Sequence, residues 1–183
     1  LYCLFAASAY LFWRKKFSIQ AVGVFVIVGI ITSIQWVPFL RSLMESGRVA
    51  AEGWKQAGWF LPWQNVAQFI APDFFGNPAT MNYWGIWNYG EFIGFIGVIP
   101  LILALRALRL SRITKFFTWV IGISLFFMLP HPLSKLPLPL QPTRLMVLVD
   151  FSLAVLAAYG FDALRKKNSI RSIWIFGGAL IIL

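Results

Sequence analysis

The 183-residue chain has very few of the side chains that carry the chemistry of soluble enzymes. It contains one cysteine, Cys3, and one histidine, His131. A single cysteine excludes an intrachain disulfide and a zinc site built on cysteine pairs. No HExxH pattern and no glycine-rich phosphate loop occurs, and one histidine between two prolines does not support a Ser–His–Asp site. The sequence therefore shows no motif of a soluble enzyme, and it predicts no cofactor and no metal site.

Charged residues are also scarce, at 12% of the chain against roughly 25% in soluble domains. Hydrophobic residues make up 60%, and the mean hydropathy is +0.76. A chain of this length cannot hide so much apolar surface from water, so the lipid bilayer is its predicted surroundings. The net charge of +10 comes from bases in short clusters between apolar runs. This pattern is typical of the cytoplasmic loops of membrane proteins, and we expect no nucleic-acid partner.

Six apolar runs predict an all-α fold, a polytopic transmembrane helix bundle, because a spanning helix needs about 20 apolar residues. The runs cover about 1–13, 18–40, 92–110, 116–129, 145–164 and 172–183. Residues 1–183 are expected to form a single transmembrane region. The chain begins and ends inside apolar runs, so we expect it to be an internal fragment of a larger membrane protein.

The basic residues predict how the chain is oriented. Eleven of the sixteen Lys and Arg lie in three connections, and such residues concentrate on the cytoplasmic side. They are Arg14, Lys15, Lys16, Arg106, Arg109, Arg112, Lys115, Arg165, Lys166, Lys167 and Arg171. The other two connections, 41–91 and 130–144, are therefore predicted to be extracytoplasmic in a multi-pass protein of the cell membrane.

The long outer loop, 41–91, is predicted to carry an interfacial helix. Pro62 could open this helix at its first position. Four residues would then share one face at helical spacing: Trp63, Val66, Ala67 and Ile70. Tryptophan favours the headgroup level of a bilayer. The helix could anchor the loop, or its aromatic residues could shape a groove for a lipid-linked or sugar substrate.

The stretch APDFFGNPATMNYWGIWNYGEF, residues 71–92, is the one long segment rich in Gly, Asn and Pro, and it holds two acids and no base. Asp73 follows Pro72 and precedes Gly-Asn-Pro, which is a turn pattern. Asn88 and Glu91 have the spacing of a capping box for the third helix. Alternatively, Glu91 could bind a sugar hydroxyl or a metal at the membrane edge.

Three further charged residues are candidates for binding. Arg48 and Arg144 are bases on the predicted outer side, and arginine suits phosphate recognition. They could hold a carrier phosphate, or they could pair with acids or lipid headgroups. Asp150 lies inside the fifth run, where an acid is costly and usually paired. Arg144 is six residues away and not on the same helical face, so we expect the partner of Asp150 on another helix, in a structural pair or a functional site.

The segment APDFFGNPATMNYWGIWNYGEFIGFIGVIPLILALRAL resembles a characteristic segment of the bacterial YfhO-like membrane proteins. That family has a Pro-Asp-x-x-Gly turn, then Tyr-Trp-Gly, Asn-Tyr, a Glu, and a span beginning Ile-Gly. PTRLMVLVDFSLAVLAAYGFDAL is similar to a later span of the same family. Together the two segments cover about a third of the chain.

This resemblance implies a membrane glycosyltransferase of the GT-C class. Such enzymes transfer a sugar from a polyprenyl-phosphate carrier to an extracytoplasmic acceptor of the cell envelope. Their catalytic acid typically lies in the first outer loop, which we expect outside this sequence, so the catalytic residue is unknown and the fragment alone is not expected to be active. The candidates for substrate binding are Arg48, Asp73, Tyr83, Asn88, Glu91, Arg144 and Asp150.

Two other functions stay open. A transporter or flippase of a lipid-linked substrate would usually show paired broken helices in repeated halves, and the sequence shows no such pairs. A non-catalytic membrane scaffold would need no catalytic acid in the first outer loop.

Overall fold

The computed structural model describes residues 2–16, 18–45, 60–86, 89–130 and 142–166. Over these ranges the chain forms helices and no strand, which confirms the all-α prediction for this part of the chain. The chain divides into two compact units, Leu1–Gln56 and Ala57–Leu183. The run predicted at 172–183 lies outside the described residues.

The first unit contains helices α1 (Tyr2–Trp13) and α2 (Ile19–Glu45). α1 matches the first predicted run, and Lys15 follows it in the left-handed region at φ 54°. α2 begins near the predicted position and continues beyond residue 40 to Glu45. Its stretch Ile19–Ser42 is long and apolar enough to cross a membrane, and none of it is buried by the protein itself.

Two hydroxyl groups in the middle of α2 are satisfied within the helix. Thr32 donates to the carbonyl of Val28 at 2.7 Å, and Ser33 donates to that of Ile30 at 2.6 Å. In lipid no water is present to bond a polar group, so such groups must find partners inside the segment. These bonds let an apolar helix keep two hydroxyls without exposing an unpaired donor.

The second unit contains four α-helices and three 3₁₀ helices among its described residues. The α-helices are α3 (Tyr89–Phe92), α4 (Val98–Ala107), α5 (Arg112–Met128) and α6 (Met146–Lys166). The 3₁₀ helices are Trp63–Phe69, Pro78–Thr80 and Pro142–Leu145. α6 matches the run predicted at 145–164, and the continuous stretch Pro142–Lys166 is long and apolar enough to cross a membrane.

The core of this unit forms where α4 and α5 pack against α6. A Cβ at Gly160 would lie 2.0 Å from the carbonyl oxygen of Leu103, so the backbones of α4 and α6 touch at this point. Small residues allow such close approach between apolar helices. The buried apolar residues of these two helices are Leu103, Ala104, Ala107, Met146, Val149, Leu153, Leu156, Ala157 and Leu164.

The third long helix begins at Val98 rather than near residue 92 as predicted. Gly97 precedes it with φ 99°, a conformation that an α-helix cannot contain and that glycine adopts readily. Residues 93–97 are therefore non-helical. They separate the four-residue helix α3 from α4.

α4 and α5 are joined by a short break and are bent by 118° relative to each other. Ser111 ends the break with a capping box: it accepts from the Thr114 backbone N–H at 3.1 Å, and its own N–H donates to the Thr114 hydroxyl at 2.9 Å. Two described helices can cross a membrane, or three if the bent pair counts as one span. It stays a prediction that residues 92–110 and 116–129 form two separate spans, and that the chain forms a polytopic bundle.

The segment before the turn-rich stretch packs on the ends of two helices. The backbone N–H of Leu61, a fully buried residue, donates to the carbonyl of Met128 at the end of α5, at 2.8 Å. A Cβ at Gly94 would lie 2.4 Å from the ring of Phe69 and 2.8 Å from the sulfur of Met146. Residues 61–69 therefore lie against the end of α5 and the start of α6.

Candidate functional site

The turn-rich stretch folds around hydrogen bonds from asparagine side chains. Asn77 caps the 3₁₀ helix Pro78–Thr80 by accepting from the Ala79 N–H at 2.9 Å. The side-chain oxygen of Asn82 accepts from the Asn77 N–H and from the Thr80 hydroxyl, each at 2.8 Å. Gly76 has φ 79°, and a Cβ there would lie 2.3 Å from the Asn82 carbonyl oxygen. The turn thus needs glycine at this position and asparagine on both sides of the 3₁₀ helix.

Asp73 connects this turn to α3. One carboxylate oxygen accepts from the Tyr89 hydroxyl at 2.5 Å and from the Asn77 side-chain amide at 3.2 Å. The carbonyl of Asp73 also accepts from the Gly76 N–H at 2.8 Å. The hydrogen bond to Asp73 favours the protonated phenol and raises the pKa of Tyr89 above its usual value. These contacts give Asp73 the turn role that its sequence neighbours predict.

Tyr83 is held by contacts within the same stretch. Its hydroxyl donates to the carbonyl of Ile86, and its ring meets that of Tyr89 edge to face at 5.3 Å between centroids. A Cβ at Gly85 would lie 2.5 Å from the Tyr83 hydroxyl oxygen, so glycine gives this hydroxyl its space. Burial raises the pKa of Tyr83. The Tyr83 hydroxyl group therefore already donates its hydrogen bond, and the tyrosine ring is the part that remains for contact with a ligand.

Glu91 links the connections 41–91 and 130–144, both of which are predicted to be extracytoplasmic. Its carboxylate accepts from the hydroxyl of Thr143 at 2.5 Å, across 52 residues of sequence. Its other oxygen lies 3.9 Å from Nε of Arg144. That distance is too long for a direct hydrogen bond, so the ion pair is loose. Glu91, Thr143 and Arg144 form what we call the acid–arginine cluster.

The two charged side chains of this cluster differ in exposure. The Arg144 side chain is 60% exposed and that of Glu91 is 30% exposed, whereas Thr143 is fully buried. Pro142 and Thr143 are the buried residues of the short 3₁₀ helix that precedes α6. The arginine can therefore reach solvent or a ligand from an anchored backbone.

Thr143 is the functional candidate that the sequence does not reveal. It stands between Pro142 and Arg144 without a capping or turn pattern of its own. Glu91 lies in the first turn of the four-residue helix α3 and not in the long helix, which begins at Val98, and its capping role stays a prediction. Asn88, the other member of that predicted capping box, lies outside the described residues.

Asp150 stands apart from the acid–arginine cluster. It lies on α6, and one of its carboxylate oxygens is buried without a hydrogen-bond partner among the described residues, as is the hydroxyl of Ser152. The partner predicted on another helix is thus not found within the described ranges. Arg48 and His131 lie outside those ranges, and no group of three or more metal-ligating side chains occurs within them.

Comparisons of the chain with protein families, with curated proteins and with solved structures find no significant match. The described residues define the class: an all-helical protein with two or three apolar helices able to cross a membrane. Within the described ranges, the acid–arginine cluster brings a carboxylate and an exposed arginine together from distant parts of the chain.

Proposed function

We propose that the chain is part of a membrane glycosyltransferase that transfers a sugar from a polyprenyl-phosphate carrier to an extracytoplasmic acceptor of the cell envelope. The observation that carries the proposal is the acid–arginine cluster. It joins residues from two distant connections, both predicted to be outside, and it leaves an arginine exposed. The resemblance of residues 71–108 and 142–164 to YfhO-like proteins supports the same function.

Arg144 is suited to hold the phosphate of the carrier. A guanidinium carries five N–H donors in a fixed plane that matches phosphate oxygens. Among the described residues, the Arg144 guanidinium makes a loose ion pair with Glu91, at 3.9 Å. A phosphate could therefore bind without breaking a tight contact. Because Arg144 immediately precedes α6, the phosphate would lie at the end of a candidate span, where the headgroup of a lipid carrier lies.

Glu91 and the nearby aromatic side chains would bind the sugar. A carboxylate fixed by the Thr143 hydroxyl can accept hydrogen bonds from sugar hydroxyls. The rings of Tyr83 and Tyr89, held edge to face, offer apolar surface for a sugar face. No described residue is assigned as the catalytic base, which the resemblance implies lies elsewhere in the full-length protein.

The test compares Arg144→Gln with Arg144→Lys in the full-length protein, with sugar transfer from a polyprenyl-phosphate donor as the readout. We expect Arg144→Gln to raise KM for the donor more than Arg144→Lys, because lysine keeps the charge. Arg106→Gln, in the last turn of α4 and on the side predicted to be cytoplasmic, is the matched control and should leave KM unchanged. An unaltered donor KM in both Arg144 variants would contradict phosphate binding at this residue.

A second candidate function is transport or flipping of a lipid-linked substrate, which is favoured by the 118° bend between α4 and α5. Interrupted helices of this kind expose backbone groups to substrates in transporters. Proteoliposomes that contain a labelled polyprenyl-linked sugar separate the two functions. Movement of the label between leaflets without transfer to an acceptor would favour the transporter.

A further inference from the structure

The 3₁₀ helix Trp63–Phe69 buries two of its three polar residues, Asn65 and Gln68, and exposes large apolar ones, while Gln64 is exposed and Phe69 is partly buried. Asn65 and Gln68 are 2% and 0% exposed and are bonded to each other at 2.6 Å, and Gln68 donates further to the carbonyl of Pro72 at 3.0 Å. Trp63 and Ile70 are each 62% exposed, and Val66 is also exposed. A helix that faces water shows the opposite pattern.

The following turn shows the same preference. Phe75 is buried, and its ring packs edge to face against Phe74 at 5.0 Å and against Trp84 at 4.9 Å. Both outer rings are mostly exposed, and Met81 is 92% exposed at the left-handed end of Pro78–Thr80. Residues 63–84 therefore present six large apolar side chains: Trp63, Val66, Ile70, Phe74, Met81 and Trp84.

This apolar surface carries almost no charge. Between Lys55 and Glu91 the only charged residue is Asp73, whose carboxylate is bonded to Tyr89 and Asn77. Residues 56–90 contain no Lys or Arg to attract an anionic headgroup, and their one charge, on Asp73, is hydrogen-bonded to neutral groups. The surface is therefore suited to contact an apolar partner, and attraction between charges is not needed for this contact.

The position of the segment indicates which apolar partner this is. Residues 61–69 pack against the end of α5 and the start of α6, where the candidate span Pro142–Lys166 begins. The ends of a span lie at the bilayer interface, which tryptophan favours. We propose that residues 63–84 insert into the bilayer interface at this end of α6, through burial of apolar side chains rather than through attraction of charges. This inference does not depend on the reaction that the protein catalyses.

The test places a single environment-sensitive fluorophore at each half of the surface, in the full-length protein in phosphatidylcholine nanodiscs. In a background with every native cysteine, Cys3 included, replaced by serine, Val66→Cys probes the 3₁₀ helix and Met81→Cys probes the turn. Ile30→Cys, exposed in the middle of α2, is the lipid control, and the exposed Lys166→Cys is the aqueous control. We expect nitroxide-labelled lipids to reduce the emission at positions 66 and 81 severalfold more than at position 166. Iodide dissolved in the water should quench the fluorophore at position 166 more strongly than those at positions 66 and 81.

Three outcomes would overturn the proposal. Strong quenching by iodide at position 66 or 81 would show a surface that faces water. Protection from both quenchers would show that another part of the protein, or a second protein, covers it. A large gain in lipid quenching with anionic lipid, reversed by salt, would show attraction by charge. The proposal requires the same quenching in neutral and anionic nanodiscs.

Discussion

Thr143 fixes the orientation of Glu91 through one hydrogen bond between buried and half-buried atoms. The hydroxyl is fully buried, so its donor has no water as an alternative partner. Arg144 lies next to it in sequence, so the same backbone carries both partners of the carboxylate. At the residue scale, one uncharged side chain thus contributes a buried hydrogen bond that holds the acid beside the arginine.

The change Thr143→Val tests this role. Valine has nearly the same shape but no donor, so Glu91 should lose its short hydrogen bond. We expect the free energy of unfolding to fall by about 1–3 kcal/mol, the range for a buried polar group left without its partner. Thermal unfolding in detergent measures the loss.

Thr143→Ser is the matched control, because serine keeps the hydroxyl, and it should lose much less stability than the valine variant. Equal stability of the valine variant and the wild type would show that Glu91 does not depend on this bond.

The helices differ in how far the sequence predicts them. α1 and α6 follow from long apolar runs, and their bounds agree with prediction within a few residues. The observed start of α4 differs from the prediction, because the helix begins after Gly97. The positive φ of this glycine cannot be predicted from hydropathy. The acid–arginine cluster could be predicted only in part. Glu91 and Arg144 stand out as charges in an apolar chain, but their contact through Thr143 spans 52 residues and has no local pattern.

Packing between α4 and α6 gives a prediction for Gly160. A Cβ at this position meets the Leu103 backbone at 2.0 Å, so Gly160→Ala must push the helices apart. We expect a loss of roughly 1–3 kcal/mol, as for other overpacked core sites. Thermal unfolding in detergent measures this change too.

Gly122→Ala is the control for helix propensity, since a Cβ at Gly122 in α5 meets nothing within 4 Å. Alanine there should be neutral or stabilising, because glycine disfavours a helix interior. If both alanine variants behaved alike, close packing at Gly160 would be refuted.

At the scale of the whole molecule, the orientation of the apolar helices is predicted from the distribution of charge. The last turn of α6 carries Arg165 and Lys166, and Lys166 pairs with Asp162 at 3.0 Å on the surface. Such an exposed pair adds little stability. A concentration of bases, however, is what retains one end of a span in the cytoplasm.

The predicted orientation can be tested by cysteine labelling with an impermeant reagent in intact cells. In the same cysteine-free background, Glu45→Cys at the exposed end of α2 should be labelled, and Lys166→Cys should be protected. Permeabilised cells should label both positions, which controls for reactivity. Protection of position 45 together with labelling of position 166 in intact cells would reverse the orientation.

The docking of residues 61–69 also has a consequence for the order in which the protein assembles. Leu61 and Phe69 leave the ribosome well before Met128 and Met146, the residues that receive them. At typical rates of synthesis, on the order of ten seconds separate Phe69 from Met146. During that time α5 and α6 are not complete, so the 3₁₀ helix cannot pack against them. Its Asn65–Gln68 pair, which is buried in the folded protein, is then still exposed. The segment can therefore dock only after α5 and α6 have been synthesised, as a late-closing part of the fold.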